Sequence, residues 1–462
     1  PREVNIFLKD VIKHARQGDA YRTMQSELEQ IAVKVASSAA DVERTLTMDT
    51  LLPLLDLLTR NNKVAVGKLL LAAWAGVGKT TADPVVIHTL FDTARALHDS
   101  VTALSSEEEV RAVSGTIVSF IRTVDFGRDL EQQLNTLVDF RAAFTALDAV
   151  TVELVERVAA LASRAHALTK GKHTKKTAAF VKAALAYCHI TIPSLEDKFE
   201  CLRLMTACAE VALVNQMVVQ SEGFVKAALA LFPELPATVA TSAHHGARRS
   251  TDARVLAAVQ HLASFLLYFP GHPKYGPFYL VHGLLNAIQK HEAWEGPRAV
   301  KLQAYMGFLR LFATYAQPRF PVKIDRVESN DTLYGGDAEY MAGLAQFVAK
   351  LIELVTEDLE KLATADIAAR RAHSTLSLDL VNTLAASFTM NKELATLVYK
   401  LMSAAKKSPE GCDARYADAT YDALVARKGR MYRELAKKLR EGGGFEHKPD
   451  PVAAAAAAAA AE

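Results

Sequence analysis

The sequence predicts an all-α protein, an elongated α-solenoid built of HEAT-like antiparallel helix hairpins. Three observations predict it. Apolar residues recur at a period of 3.6 from end to end, strand-like alternation is nearly absent, and turn-forming residues cut the chain into segments of roughly 12 to 25 residues. In the stretch after Arg141, Phe144, Leu147, Leu154, Val158 and Leu161 fall on one face at steps of three, four or seven. The rhythm returns at Phe199, Leu202, Met205, Ala209 and Leu213, and again at Leu344, Phe347, Leu351 and Leu354.

Breakers mark the element ends in order: Asn61-Asn62, Gly76 to Pro84, Ser105-Ser106, Gly171, Pro193, Pro233 to Ser250, Pro270 to Pro277, Gly296-Pro297, Pro318 to Gly336, and Ser408 to Gly411. They predict about eighteen helices, or some nine hairpins at ~40 residues per pair. No strict repeat is visible. Each hairpin can bury its stripe only against its neighbours, so an extended stack is expected rather than a bundle. Gly442 to Gly444, Lys448-Pro449-Asp450-Pro451 and the nine alanines that follow read as linker and low complexity.

At 462 residues, half of them apolar, the chain can bury a long continuous core. Its 54 basic and 52 acidic side chains give a formal charge of +2, so no net field favours nucleic acid. Cys188, Cys201, Cys208 and Cys412 form no CxxC pair and read as reduced core thiols of a cytosolic protein. Cys201 and Cys208, seven apart, share a helix face and suit packing better than metal ligation. No charge-free apolar run reaches 18 residues and the visible N-terminus has no signal-peptide pattern, so membrane association is expected to be peripheral or through partners.

Leu69 to Thr80, LLLAAWAGVGKT, superficially suggests a strand and a phosphate-binding loop at Gly78, Lys79 and Thr80. The pattern G-x-x-x-x-G-K-[ST] needs glycine where Ala73 stands, because that glycine opens the turn around the phosphates. A Leu- and Ala-rich run is also a better helix than strand. The expectation is a helix ending at Gly76 and a new one opening with Asp83 as cap and Pro84 at its first position. No HExxH, G-x-S-x-G, calcium-loop or dinucleotide-binding pattern occurs, and no cofactor is expected. His244 and His245 stand in a polar loop with Arg248 and Arg249 and without an acidic or Cys partner. His166, Lys170, Lys172, His173, Lys175 and Lys176 make a basic patch between two helices, either a solvated face or a contact for an acidic partner or for anionic lipid, the latter at roughly 1 kcal/mol per cation.

The most specific stretch is Ile324 to Asp337, IDRVESNDTLYGGD. Gly335 and Gly336 can take positive φ, and Ser329, Asn330 and Asp331 can bond their own backbone, so the loop is built to hold one shape. With Asp325, the Ser329–Asp331 triplet and the Leu333–Asp337 string (Leu333, Tyr334, Gly335, Gly336, Asp337), it resembles the large scaffold subunit of retriever, a relative of the retromer backbone. The resemblance continues through DPVVIHTLFDTARALHDSVTAL (83–104), FGRDLEQQL (126–134), KTAAFVKAALAYCHITIPSL (176–195) and FYLVHGLLNAIQ (278–289). It is strong from Asp83 to about Asn391, about two thirds of the chain, and weak on either side. The implied organisation is helical hairpins over 1–82, the scaffold-like solenoid over 83–440 and a tail over 441–462. The family protein is about twice as long, so the chain looks like its C-terminal half.

The resemblance implies a non-enzymatic scaffold on the cytosolic face of endosomes that supports recycling of membrane cargo to the plasma membrane. It implies a small metallophosphoesterase-fold vacuolar-sorting subunit as the partner of this half, seated on a concave face from roughly Phe199 to Leu439, and an arrestin-like subunit on the other half. Coiled-coil and COMM-domain proteins of commander and a sorting nexin cargo adaptor complete the implied partners. Alternative readings are the retromer scaffold itself, a solenoid adaptor of another large assembly, and, least favoured, a nucleotide-binding protein using Lys79. For the Leu333–Asp337 loop two roles stay open: a partner contact, or an internal clamp in which Tyr334 packs into the core and Asp337 caps the next helix.

Overall fold

A helix with one apolar stripe is stable in water only where a neighbour covers that stripe, and this decides which segments of the chain pair. The computed structural model describes residues 2–37, 42–240, 248–296, 298–365, 367–407, 413–443 and 445. Among them are 21 α-helices, four short 3-10 turns and a single two-stranded ribbon, Thr238–Ala240 antiparallel to Arg248–Ser250. The chain is all-α, and its long helices pack chiefly on partners one, two or three helices away in sequence. Packing divides it into two units, Pro1–Phe224 and Val225–Glu462, with the division inside the helix Val218–Leu231. The helices on either side of residue 82, Arg60–Val77 and Pro84–Ser100, pack against each other within the first unit.

The first unit is organised around the helix Asp148–Thr169, which packs against Glu107–Thr123, Leu130–Ala143, Lys175–Thr191 and Lys198–Val214. Its Leu154, Val155 and Val158 are fully buried. Glu153 on the same helix is also buried, yet Arg122 at 2.7 Å and Arg157 at 3.0 Å hold its carboxylate. Burial pushes the Glu153 carboxyl up, but the hydrogen bonds and charges of the two guanidiniums prevail and hold it below its ordinary range.

The second unit is organised around Ala299–Tyr315, which packs on Asp252–Leu266, Ala338–Ala363 and Ile367–Ser387. Phe308, Leu309, Phe312 and Tyr315 are buried there. Farther on, Lys392–Lys407 packs on Ile367–Ser387 and on Arg430–Gly443. Phe445 closes this end, stacked on Tyr421 at 5.4 Å with Lys406 over its ring at 4.1 Å.

Several expected boundaries move. The helix Arg60–Val77 starts before Asn61-Asn62, which lie in its first turn, and it ends at Gly78, not Gly76. Gly78 takes φ +65 as the left-handed cap, whereas Gly76 stays helical. Asp83 caps the next helix through the Val85 N–H at 2.8 Å, with Pro84 in its first position. Leu69–Val77 is thus helix and not a strand feeding a phosphate loop. Phe144 and Leu147 are buried but occupy the turn between Leu130–Ala143 and Asp148–Thr169, so the single stripe read there is two elements. Pro297, Ser408 to Cys412, His244, His245 and the alanine tail lie outside the described residues.

The fold makes a paired prediction on one helix. A Cβ on Gly67 would meet Leu97 and Thr93 side-chain atoms at 2.8 and 2.9 Å, whereas one on Gly76 would meet nothing. Gly67→Leu is expected to lower stability by about 1–3 kcal/mol through overpacking against Pro84–Ser100. Gly76→Ala is expected to raise it by about 0.5–1 kcal/mol through helix propensity. Urea unfolding of the two variants against the parent measures both.

Candidate functional site

The polar string between the helices Ala299–Tyr315 and Ala338–Ala363 contains a short helix, Asn330–Leu333, preceded by Ser329. Ser329, Asn330 and Asp331 are buried, which polar side chains tolerate only with partners. The Asp331 carboxylate supplies most of them. It accepts the Phe320 N–H at 3.0 Å, the Ser329 hydroxyl, and the Lys323 ammonium at 3.1 Å. The Asn330 side-chain oxygen accepts the Gly271 N–H at 2.8 Å, fastening the loop to a turn 59 residues earlier.

Burial pushes the Asp331 carboxyl up, but the hydrogen bonds from Ser329, Phe320 and Lys323 and the Lys323 charge outweigh it. The group is held below the usual carboxylate range, at about 2.

The Leu-Tyr-Gly-Gly-Asp string turns the chain from this anchor into the next helix. Tyr334 is half-buried and stacks on Tyr340 at 5.5 Å, and Tyr340 stacks on Phe278 at 5.1 Å. Phe278 in turn meets Phe312 and Phe347, placing the tyrosine pair at the edge of the unit's aromatic core. A Cβ on Gly335 would collide with the Asp331 carbonyl oxygen, and Gly336 sits at φ +84. Only glycine satisfies both positions without displacement. Asp337 then caps Ala338–Ala363 through the Glu339 N–H at 2.9 Å. Burial foremost, then the Asp331 and Tyr334 charges, keep the Tyr340 phenol protonated well above its ordinary range.

The candidate residues therefore separate. Ser329, Asn330, Asp331 and Tyr334 face inward, while Asp325, Leu333, Gly335, Gly336 and Asp337 are exposed, Leu333 at 41%. Asp325 stands 3.7 Å from Arg326 and takes no part in the buried anchor. Sequence reasoning missed the receiving side: Gly271, Phe278, Phe320 and Tyr340. The breaker cluster Pro270 to Pro277 was the available signal, but nothing in a single sequence pairs it with Asn330.

The residues of the basic patch have different surroundings. Lys176 pairs with Glu131 at 3.0 Å, Lys170 caps the helix Asp148–Thr169 with φ 50, and the His166 and His173 rings lie 6.1 Å apart. Burial, and the neighbouring His166, hold His173 below its ordinary value against an opposing contribution from Asn215. Cys188, Cys201 and Cys208 are buried free thiols, and the Cys188 thiol is pushed up by its contact with Cys208 and by burial. Among the described residues no group of three or more His, Cys, Asp or Glu side chains is placed to hold a metal, and no helix is long and apolar enough to cross a membrane.

The family model described as VPS35L C-terminal domain matches residues 1–441. It extends through 1–82 and 392–441, where the sequence resemblance above is weak. A protein named VPS35 endosomal protein sorting factor-like from Dictyostelium discoideum is 34% identical over 444 residues, 95% of this chain and 44% of its own length. Proteins named VPS35 endosomal protein-sorting factor-like from Mus musculus and Homo sapiens are each 36% identical, covering 92% and 89% of this chain and 44% and 42% of their own. The chain spans less than half the length of these relatives.

The low Asp331 pKa carries a pH dependence. Because the folded-state value is depressed, its stabilisation is full above about pH 4 and is lost as pH falls from about 4 to about 2. Asp331→Asn is expected to cost about 2 kcal/mol at neutral pH and to flatten the stability profile across that acid window. Chemical unfolding at a series of pH values, parent against variant, measures the difference.

Proposed function

From the family of VPS35L C-terminal domains, to which this chain belongs, we propose that it is a non-enzymatic scaffold of endosomal protein sorting. The observation that carries this reading is a similarity running through 89–95% of the chain to relatives named as endosomal sorting factors. A scaffold needs a long, stiff surface and no chemistry of its own. Within each unit, stacked helices with stripes buried against near neighbours are consistent with such a role.

Within that role the chain belongs to an assembly of the retriever type and works on the cytosolic face of endosomes in recycling of cargo to the plasma membrane. This half holds the small metallophosphoesterase-fold subunit. The arrestin-like subunit is held by the other half of the full-length scaffold. The coiled-coil and COMM-domain proteins of commander and a sorting nexin adaptor join the same assembly. The ordered Ser-Asn-Asp and Leu-Tyr-Gly-Gly-Asp segments favour this assembly over retromer.

Co-expression of the chain with the small metallophosphoesterase-fold subunit of the same organism, followed by light scattering, tests the reading. The expected outcome is a stable one-to-one complex. A well-folded helical chain that forms none at micromolar concentrations would refute its assignment to this half.

A further inference from the structure

The helix Ala338–Ala363 turns Tyr340, Leu344, Leu351, Val355, Leu359 and Leu362 into the core. It also carries a second apolar stripe, Met341, Ala345, Val348 and Ile352, at steps of three and four, and this stripe is not covered. Met341 is 41% exposed, Ala345 is exposed, and Val348 and Ile352 are half-exposed. A cleft of about 640 Å³ is lined by this stripe together with Leu394 and Leu397 of Lys392–Lys407 and Phe388, these last three half-exposed. Both walls pack on Ile367–Ser387, which holds them apart as the sides of a trough.

We propose that this trough seats a single amphipathic helix of another chain, about three turns long, apolar on one face and basic at one end. The length follows from the stripe: the eleven steps from Met341 to Ile352 span about 16 Å at the helical rise. Spaced apolar anchors on one helix laid between two others are the recurring helix-in-groove mode of recognition. Ala345 on the wall leaves room for the incoming backbone, while Met341, Ile352 and Leu397 flank it.

Charge decides the polarity of the occupant. The lining carries the carboxylates of Glu353 and Glu393 and no cation. Glu353 is held by Lys350 at 2.8 Å, whereas Glu393 has no ion pair among the described residues. A Lys or Arg at the end of the docked helix meets Glu393, and an acidic end is repelled. The inference goes beyond the scaffold role above, since it concerns a helical segment rather than the small folded subunit.

The probe is a fluorescein-labelled peptide of about 14 residues, with Leu at i, i+3, i+4 and i+7 and Lys in its terminal turn, titrated into the whole chain by fluorescence polarisation. Saturable binding is expected, at least about tenfold weaker to Ala345→Arg. Ala345 is exposed, so the variant keeps the fold, which circular dichroism checks. A peptide with Glu in place of Lys is expected to bind several-fold more weakly and to recover on Glu393→Lys. Absence of saturable binding, or equal binding by Ala345→Arg, overturns the proposal. So does self-association of the chain abolished by Ala345→Arg, which would give the trough to a second copy. If Ala345→Arg also loses the small metallophosphoesterase-fold subunit, the trough belongs to that subunit and the proposal fails. A parent chain that binds the peptide but not the small subunit counts against the scaffold partner alone.

Discussion

Coverage of each helix's apolar stripe by near neighbours in sequence is the constraint on which the rest of this molecule depends. Asp148–Thr169 and Ala299–Tyr315 show it most fully, each flanked by helices no more than three elements away. Contacts of this range close short loops, so each added hairpin costs little loop entropy and meets a surface already formed. The scheme also leaves the outward faces free of structural duty. A protein of this kind can present side chains along its surface without disturbing its core.

The stretch from Pro318 to Gly336 is where the scheme is interrupted, and the solution there is polar. With few helical backbone bonds available, the Phe320 and Gly271 N–H groups find side-chain oxygens of Asp331 and Asn330 instead. The Tyr334–Tyr340–Phe278 stack covers the same junction from the apolar side. Together they join Ala299–Tyr315, the turn after Leu266 and Ala338–Ala363 within the second unit. The trough beyond Met341 depends on this junction, because Ala338–Ala363 starts at the Asp337 cap that the loop delivers. Of this polar string, Ser329, Asn330, Asp331 and Tyr334 turn inward, while Asp325, Leu333 and the Gly335–Asp337 turn stay at the surface.

Long helices were legible in the sequence because period and breakers agree. Phe199, Leu202, Met205, Ala209 and Leu213 are all buried on Lys198–Val214. Errors arose where two cues conflicted. Phe144 and Leu147 keep the helical phase through a turn, so periodicity alone could not separate their helices. Gly76 and Gly78 are equivalent in composition, and only the position of the last helical bond makes Gly78 the cap. The ribbon Thr238–Ala240 with Arg248–Ser250 is too short for alternation to register. Within the candidate loop, the glycines and the Asp337 cap follow from local chemistry. The burial of Asn330 and Asp331 does not, since their partners are set by tertiary packing.

Amide hydrogen exchange on the free chain, resolved at Gly271 and Phe320, most directly tests the central claim that the Ser-Asn-Asp anchor is an internal clamp already formed without a partner. Both N–H groups donate to side chains of the loop, so both are expected to exchange slowly in the parent, with Gly271 released by Asn330→Ala and Phe320 by Asp331→Ala. Fast exchange of both amides in the free chain, slowed only when the small subunit is added, would contradict the account and make the loop a partner-ordered contact.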